Sequence, residues 1–390
     1  MFNWRIYREL NQDLINAHLN TEKQIMTHWK TYGHKENRKT KITDVFPDFD
    51  LELYKNNNPE LKFNRQEEYE LDYIRKQKNN SFDSQSNELD CSIKQQNALS
   101  DPNIYNEASK ALINTNFNTA IIYAYYETSS AIYNLEFYIK TALTNDSNYL
   151  YIFVINGEKC SIDIPVQSNI VILKRNNIGF DFGAHAHAIR YLLNKCTTTN
   201  KIEDLSIKYF IFMNCGVIGP FLPVYYPKNL HWSNIFIDRL NDQIKLVGTT
   251  IVCLPAHDKG GYGPKIEGFC FCSDKIGLSL LVKNGTVFTD HASKIDAIIN
   301  GEFQLTKVIL DNGYNIDCLL YKYQNIDWRD SNNYNLNNYK YPSRSGSYDD
   351  ISIHPFEVVF HKWYWNYDST NTVLFNYVDK YKKWKLNSLH

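Results

Sequence analysis

No apolar run in this 390-residue chain approaches the roughly 18–20 residues that a membrane-crossing helix needs, so no span is expected. Arg5, Arg8 and Glu9 stand where a secretory leader would carry an apolar stretch, and the cytoplasm is the expected compartment. An excess of one charge is missing too: Lys+Arg 42 against Asp+Glu 43 leaves a net charge of -1. Surfaces that bind nucleic acid carry a cationic surplus, so nucleic acid is not an expected partner. The eight cysteines are scattered, with Cys253, Cys270 and Cys318 inside apolar runs, which is the pattern of buried reduced thiols. Cys270-x-Cys272 has no second pair to complete a zinc site.

Further absences narrow the chemistry. The chain's glycine-bearing turn, Asn177-Ile178-Gly179-Phe180-Asp181-Phe182-Gly183, is followed by no Gly-Lys-Ser/Thr and lacks dinucleotide-binding spacing. No Gly-x-Ser-x-Gly elbow occurs. His185 and His187, two apart on a helix, do not face one another and make no metal pair. The one Asp-x-Asp, Asp48-Phe49-Asp50, follows no apolar strand run.

What is present begins with a repeat. Phe2, Tyr7, Asn11, Asp13 and Leu14 recur as Phe49, Tyr54, Asn58, Glu60 and Leu61 at a constant spacing of 47. The first copy continues through Ile25, His28-Trp29 and Tyr32 to Gly33, a helix of about three turns with a glycine cap. The second copy fades after Leu61. Two such units make a small helical module, expected over residues 1–75, and not a solenoid. It is either a partner or acceptor contact or a structural appendage. A polar linker is expected over 76–114 and the main domain over 115–390.

In that domain strands and helices alternate. Thr119 to Tyr126, Tyr149 to Ile155, Ile170 to Leu173 and Tyr209 to Met213 read as strands, Ala131 to Leu143 and Ala184 to Leu193 as helices. The alternation predicts an α/β fold with a mainly parallel sheet flanked by helices. Beyond Pro223, Lys245 to Leu254 and Gly268 to Ser273 read as strands around a glycine-rich loop, His257 to Pro264. Lys275 to Lys283 and Glu302 to Asn312 follow as helices, and Val358 to His361 as a last strand.

Two of the strands deliver polar clusters at their C-terminal ends, where open α/β sheets bind ligands. After Leu173, Gly179 and Gly183 would let backbone approach a ligand, and a helix starting near Gly183 would offer free N–H groups to a phosphate. Asp181 would take a ribose hydroxyl or base edge; otherwise it serves as an N-cap for the helix. After Met213, Asn214-Cys215-Gly216 is either a phosphate or sugar contact or a plain turn. Glu302, at a helix start, suits a general base and equally a first-turn charge; Asp290, His291 and Glu267 are weaker alternates. His361 reads as a metal or phosphate ligand or as a strand-end histidine.

Taken in order, Tyr123…Tyr126-Glu127, Asn134-Leu135-Glu136-Phe137, Asn177-x-Gly179-x-Asp181-x-Gly183 and Phe212-Met213-Asn214…Gly219-Pro220 resemble the core of GT-A-type glycosyltransferases related to rhamnan-synthesis proteins, over roughly Thr115 to His361. The N-terminal repeats resemble modules attached to glycosyltransferases. The resemblance implies transfer of a sugar from a UDP-, GDP- or dTDP-sugar to a glycan or other hydroxyl acceptor. It implies Asn177, Gly179 and Asp181 near the nucleotide, Asn214 near the diphosphate, and Glu302 as base; Gly183 and Cys215 are counted with them as donor-binding candidates. Related enzymes usually carry an acid where this chain has Cys215-Gly216, which leaves a Mn or Mg ion open. The rival readings are a non-catalytic glycan-binding scaffold and a nucleotidyltransferase.

Overall fold

The run Thr119–Tyr125 is apolar at nearly every position, the mark of a strand covered on both faces, and every residue of it is buried. It is the first strand, β1, in a computed structural model that describes residues 2–11, 14, 19, 21–36, 38–46, 49–58, 61–83, 117–362 and 372–387. The chain forms two compact units, Met1–Ser100 and Asp101–His390.

In the larger unit β1 is flanked in parallel by β2 (Tyr149–Asn156) and β4 (Tyr209–Asn214), and β3 (Ile170–Arg175) lies parallel to β2. The remaining strands are β5 (Ile244–Gly248), β6 (Ile251–Leu254), β7 (Gly263–Ile266), β8 (Cys270–Asp274) and β9 (Asn315–Cys318). The main sheet has the order β3-β2-β1-β4-β8-β5-β9, and β6 and β7 form a two-stranded sheet. Within the main sheet, among the described residues, only β8 runs against its neighbours. The sheet is therefore mainly parallel, with helices on both faces. Alternation along β1 sends Ala120, Ile122 and Ala124 into a core with Phe182, Ala184 and Ile189 of the Phe180–Cys196 helix. Ile121, Tyr123 and Tyr125 enter the opposite core with Ala131, Leu135 and Tyr138 of the Ser129–Ala142 helix.

Several boundaries differ from the sequence reading. The expected strand from Lys245 to Leu254 breaks at Thr249–Thr250; β5 stays in the main sheet, and β6 leaves to pair with β7. Part of β7 falls in the expected His257–Pro264 loop, where Pro264, opposite Cys253, is tolerated because the ribbon is two-stranded. β9 was hidden by its polar Asn315 and Asp317, which are satisfied by the Ile326 carbonyl and by Arg239. The expected last strand is instead a short helix, Pro355–Val358, with proline in its first turn, followed by a single antiparallel bridge between His361 and Ile218. Among the described residues no helix is long and apolar enough to cross a membrane.

The smaller unit holds helices Trp4–Leu10, Glu22–His28, Leu51–Asn57 and Gln66–Asp83. The last runs past the boundary expected at residue 75; the rest of the expected linker lies outside the described residues. Asn11 donates to the Tyr7 carbonyl at 2.7 Å, and Asn58 to the Tyr54 carbonyl at 2.8 Å. Phe2, Tyr7 and Trp29 form one aromatic set, and Phe49, Tyr54 and Tyr73 another. Tyr73 lies three positions before the place that the spacing of 47 assigns to Trp29's counterpart, which is why the second copy fades in the sequence. Phe49, the centre of the Asp-x-Asp, belongs to this aromatic packing.

Candidate functional site

The parallel strands β1 and β4 end side by side, and the chain turns away from β4 at Asn214-Cys215-Gly216. Asn214 makes this turn through its side chain: Oδ1 accepts from the Gly216 N–H at 3.0 Å, an Asx turn. Its Nδ2 then donates to Asp181 Oδ2 at 2.7 Å. The Cys215 N–H donates to the Ala124 carbonyl at 2.9 Å, and Asn134 Nδ2 donates to the Cys215 carbonyl at 2.9 Å. The Cys215 sulfur is held between the N–H and carbonyl of Tyr126. Burial pushes its thiol pKa up, which disfavours the thiolate form that a nucleophile needs. Through these contacts Cys215 ties the turn after β4 to the loop after β1.

Asp181 is placed by the next parallel unit. The helix begins at Phe180, not near Gly183, with Gly179 as its cap at φ 71°, a left-handed conformation that glycine adopts without strain. The glycines of the turn serve packing. A Cβ on Gly179 would run into the backbone of Asp290, and one on Gly183 into the Asp290 carboxylate and Arg175. The Gly183 N–H is spent on the Gly179 carbonyl at 2.8 Å, so it is not free for a phosphate. Arg175 holds Asp290 at 2.5 Å and the Ile178 carbonyl at 2.8 Å. Asn177 is exposed. Beside it the ends of β2 and β3 border a cleft of about 710 Å³ lined by Gly157, Glu158, Lys174, Arg175, Asn176 and Ile178, with His187, Arg190 and Asp290. At its rim Gly157 lies against the ring of Tyr126, which is exposed.

Glu302 closes a π-helical turn, Ala297–Glu302, that runs into the Phe303–Asp311 helix; such turns are frequent at functional sites. Gly268 and Gly301 make room here, the first against Glu302 and Phe182, the second against His291 and Phe182. The residue keeps some surface, but its carboxyl group is enclosed. Burial pushes its pKa up to about 7, helped by the charge of Glu267 and, less, of Asp181; Lys362 and the Gly268 N–H pull the other way. Glu267 is 2% exposed and accepts from Thr250 and Ser343, each at 2.6 Å. Burial raises its pKa too. Tyr341 lies within electrostatic reach of both acids, and Arg344 of Glu267.

Lys362 faces these acids. Its pKa is lowered by burial, against which Glu302, Asp181 and Glu267 act. Its Nζ lies 5.3 Å from the centre of the Phe269 ring. A Cβ on Gly216 would sit 3.5 Å from Lys362 Cε and 3.6 Å from Nζ, so the ammonium hangs over the Asn214-Cys215-Gly216 turn. The neighbouring His361 does not share this position. It is 2% exposed, bridges Ile218 through its backbone, and burial pushes its pKa down to about 4 while the backbones of Ile353 and Lys362 hold its ring. Trp363 and Tyr364 lie outside the described residues.

The fold thus brings together Asp181, Asn214 and Glu302, and adds Glu267 and Lys362. Asn177 is exposed, while Gly179, Gly183, Cys215 and His361 pack against neighbouring segments. The turn itself does not fit a divalent ion: it offers an amide, a thiol and a glycine, and no carboxylate. Among the described residues no group of three or more His, Cys, Asp or Glu side chains forms a metal cluster.

Neither a family model nor a curated protein matches the chain. Among solved structures, a mannosyltransferase from Pyrobaculum calidifontis in complex with GDP-Man and Mn2+ aligns with 52% of this chain and 54% of its own, at 11% identity and a TM-score of 0.31. The similarity spans about half of that enzyme, and a likeness this slight defines neither fold nor activity.

Proposed function

We propose that the protein transfers a sugar from a UDP-, GDP- or dTDP-sugar to a hydroxyl of a glycan or other acceptor. The observation that carries this reading is the meeting of Asp181, Asn214 and Glu302, from three separate segments, at the C-terminal ends of parallel strands. The nucleoside end would lie toward the cleft beside β2 and β3, at whose rim Tyr126 offers a ring face. The diphosphate would lie at the Asn214 turn. Glu302 would take the proton of the acceptor hydroxyl as its oxygen bonds to the anomeric carbon. The bond from that carbon to the diphosphate oxygen breaks, and its electron pair leaves with the nucleoside diphosphate. A carboxylate with a pKa near 7 is matched to this task.

The test is a panel of nucleotides and nucleotide sugars scored by thermal shift and by donor cleavage. One nucleotide class should raise the melting temperature, and its sugar donor should be consumed. A glycan-binding protein without activity is favoured by one observation, the missing acid at Cys215-Gly216. Stabilisation by free glycans and by no nucleotide would establish that alternative and overturn transfer.

A further inference from the structure

We infer that Lys362 takes the place of a divalent cation at this site, so that nucleoside diphosphate binding and departure need no metal. The inference rests on the transferase reading above.

Three observations lead to it independently of any bound group. The turn that ends β4 carries no acid after Asn214, and Asn214's own side chain is committed to Gly216 and Asp181. Cys215 is committed to the backbone of Tyr126. A cation of the protein itself lies over that turn: the Lys362 ammonium, set against Gly216. Its delivery is built into the fold. The Ile218 N–H donates to the His361 carbonyl and the His361 N–H to the Ile218 carbonyl, each at 3.0 Å, and the Phe221 N–H donates to the Val359 carbonyl at 2.8 Å. A side chain at Gly219 would strike the Val359 carbonyl and the Phe360 ring. This pairing fixes 359–362 beside 216–221 and leaves Lys362 the first residue beyond it, aimed back over the turn.

The charges of Glu302, Asp181 and Glu267 favour the ammonium form of Lys362, and an ammonium is one charge with three donors and no coordination geometry. When the bond to the anomeric carbon breaks, the electron pair goes to the leaving diphosphate oxygen, and Lys362 donates to it. A fixed positive charge aimed where negative charge develops is the strongest form of transition-state stabilisation available to such a site.

The experiment measures GDP, UDP and dTDP binding, and cleavage of the matching sugar donors, with EDTA or with Mn2+. Wild type, Lys362→Met and Lys362→Arg are compared, each first shown to be folded by circular dichroism. Wild type should bind one nucleoside diphosphate equally well in EDTA and in Mn2+. Lys362→Met should weaken that binding by about tenfold or more and slow donor cleavage further; Lys362→Arg should recover part of both. A lysine that only balanced buried acids would change stability and leave nucleotide affinity unmoved. Binding that appears only with Mn2+, or equal affinity in wild type and Lys362→Met, overturns the lysine inference and leaves the transferase reading standing. No nucleotide binding by wild type in either condition overturns both.

Discussion

At the scale of single residues the decisive property is the raised pKa of Glu302. In the proposed role of base it must be ionised, so the donor-cleavage rate should fall as pH drops below about 7, and Glu302→Gln should lose both the rate and this limb of the profile. The same shift has a stability consequence of opposite sense. The folded state holds a proton that the unfolded state releases between the ordinary carboxylate value of 4.5 and about 7, so this group's contribution to stability declines as pH rises through that window. Glu302→Gln should therefore be more stable than wild type at pH 8 by roughly 3 kcal/mol, with little difference at pH 4. Melting curves at both pH values check this; an equal difference at each would contradict it. His185 gives the reverse case. It is fully buried among Phe182, Phe212 and Phe271, neither ring nitrogen has a hydrogen-bond partner among the described residues, and burial holds its pKa down at about 4 against an ordinary 6.5. The unfolded state gains the proton first, so acidification from pH 7 to 5 should cost about 2 kcal/mol through this residue. His185→Phe should remove that loss, read as a smaller drop in melting temperature over the same range.

At the scale of elements the site depends on the turn after β4. Asn134 reaches from the Ser129–Ala142 helix to the Cys215 carbonyl. Asn134→Ala leaves that carbonyl unpaired and should cost about 1–3 kcal/mol, measured as a lower urea midpoint at unchanged slope. The strands that carry the turn were legible because they are buried on both faces and read as unbroken apolar runs. Asp181, Asn214 and Glu302 were legible as polar residues at element ends. The reason for Gly179 and Gly183 was not, because what fills their space is Asp290 and Arg175, and Asp290 is supplied by a distant segment. Lys362 was missed for a related reason. Sequence reasoning stopped at His361, the polar residue ending an apolar run. A single backbone bridge carries no period from which to tell which of two neighbours faces the site; only the pairing with Ile218 and Phe221 turns His361 inward and Lys362 over the turn.

At the scale of the whole molecule, the two units have separate cores, and the site residues all belong to the larger one. In the smaller unit Gly33 packs against the Tyr7 hydroxyl and the Trp29 ring. Gly33→Ala should lower the stability of that unit, followed by tryptophan fluorescence, without changing donor cleavage; a matching loss of cleavage would mean that the smaller unit supports catalysis. The central claim concerns the larger unit, that Glu302 and the Asn214 turn form a sugar-transfer site. Its most direct test is the single-turnover rate of donor cleavage with an excess of wild-type protein or Glu302→Gln over each UDP-, GDP- and dTDP-sugar. The account predicts that wild type consumes one donor class and that Glu302→Gln is slower by ~10²–10⁴. A Glu302→Gln rate within about threefold of wild type, or no donor consumed by either, would contradict it.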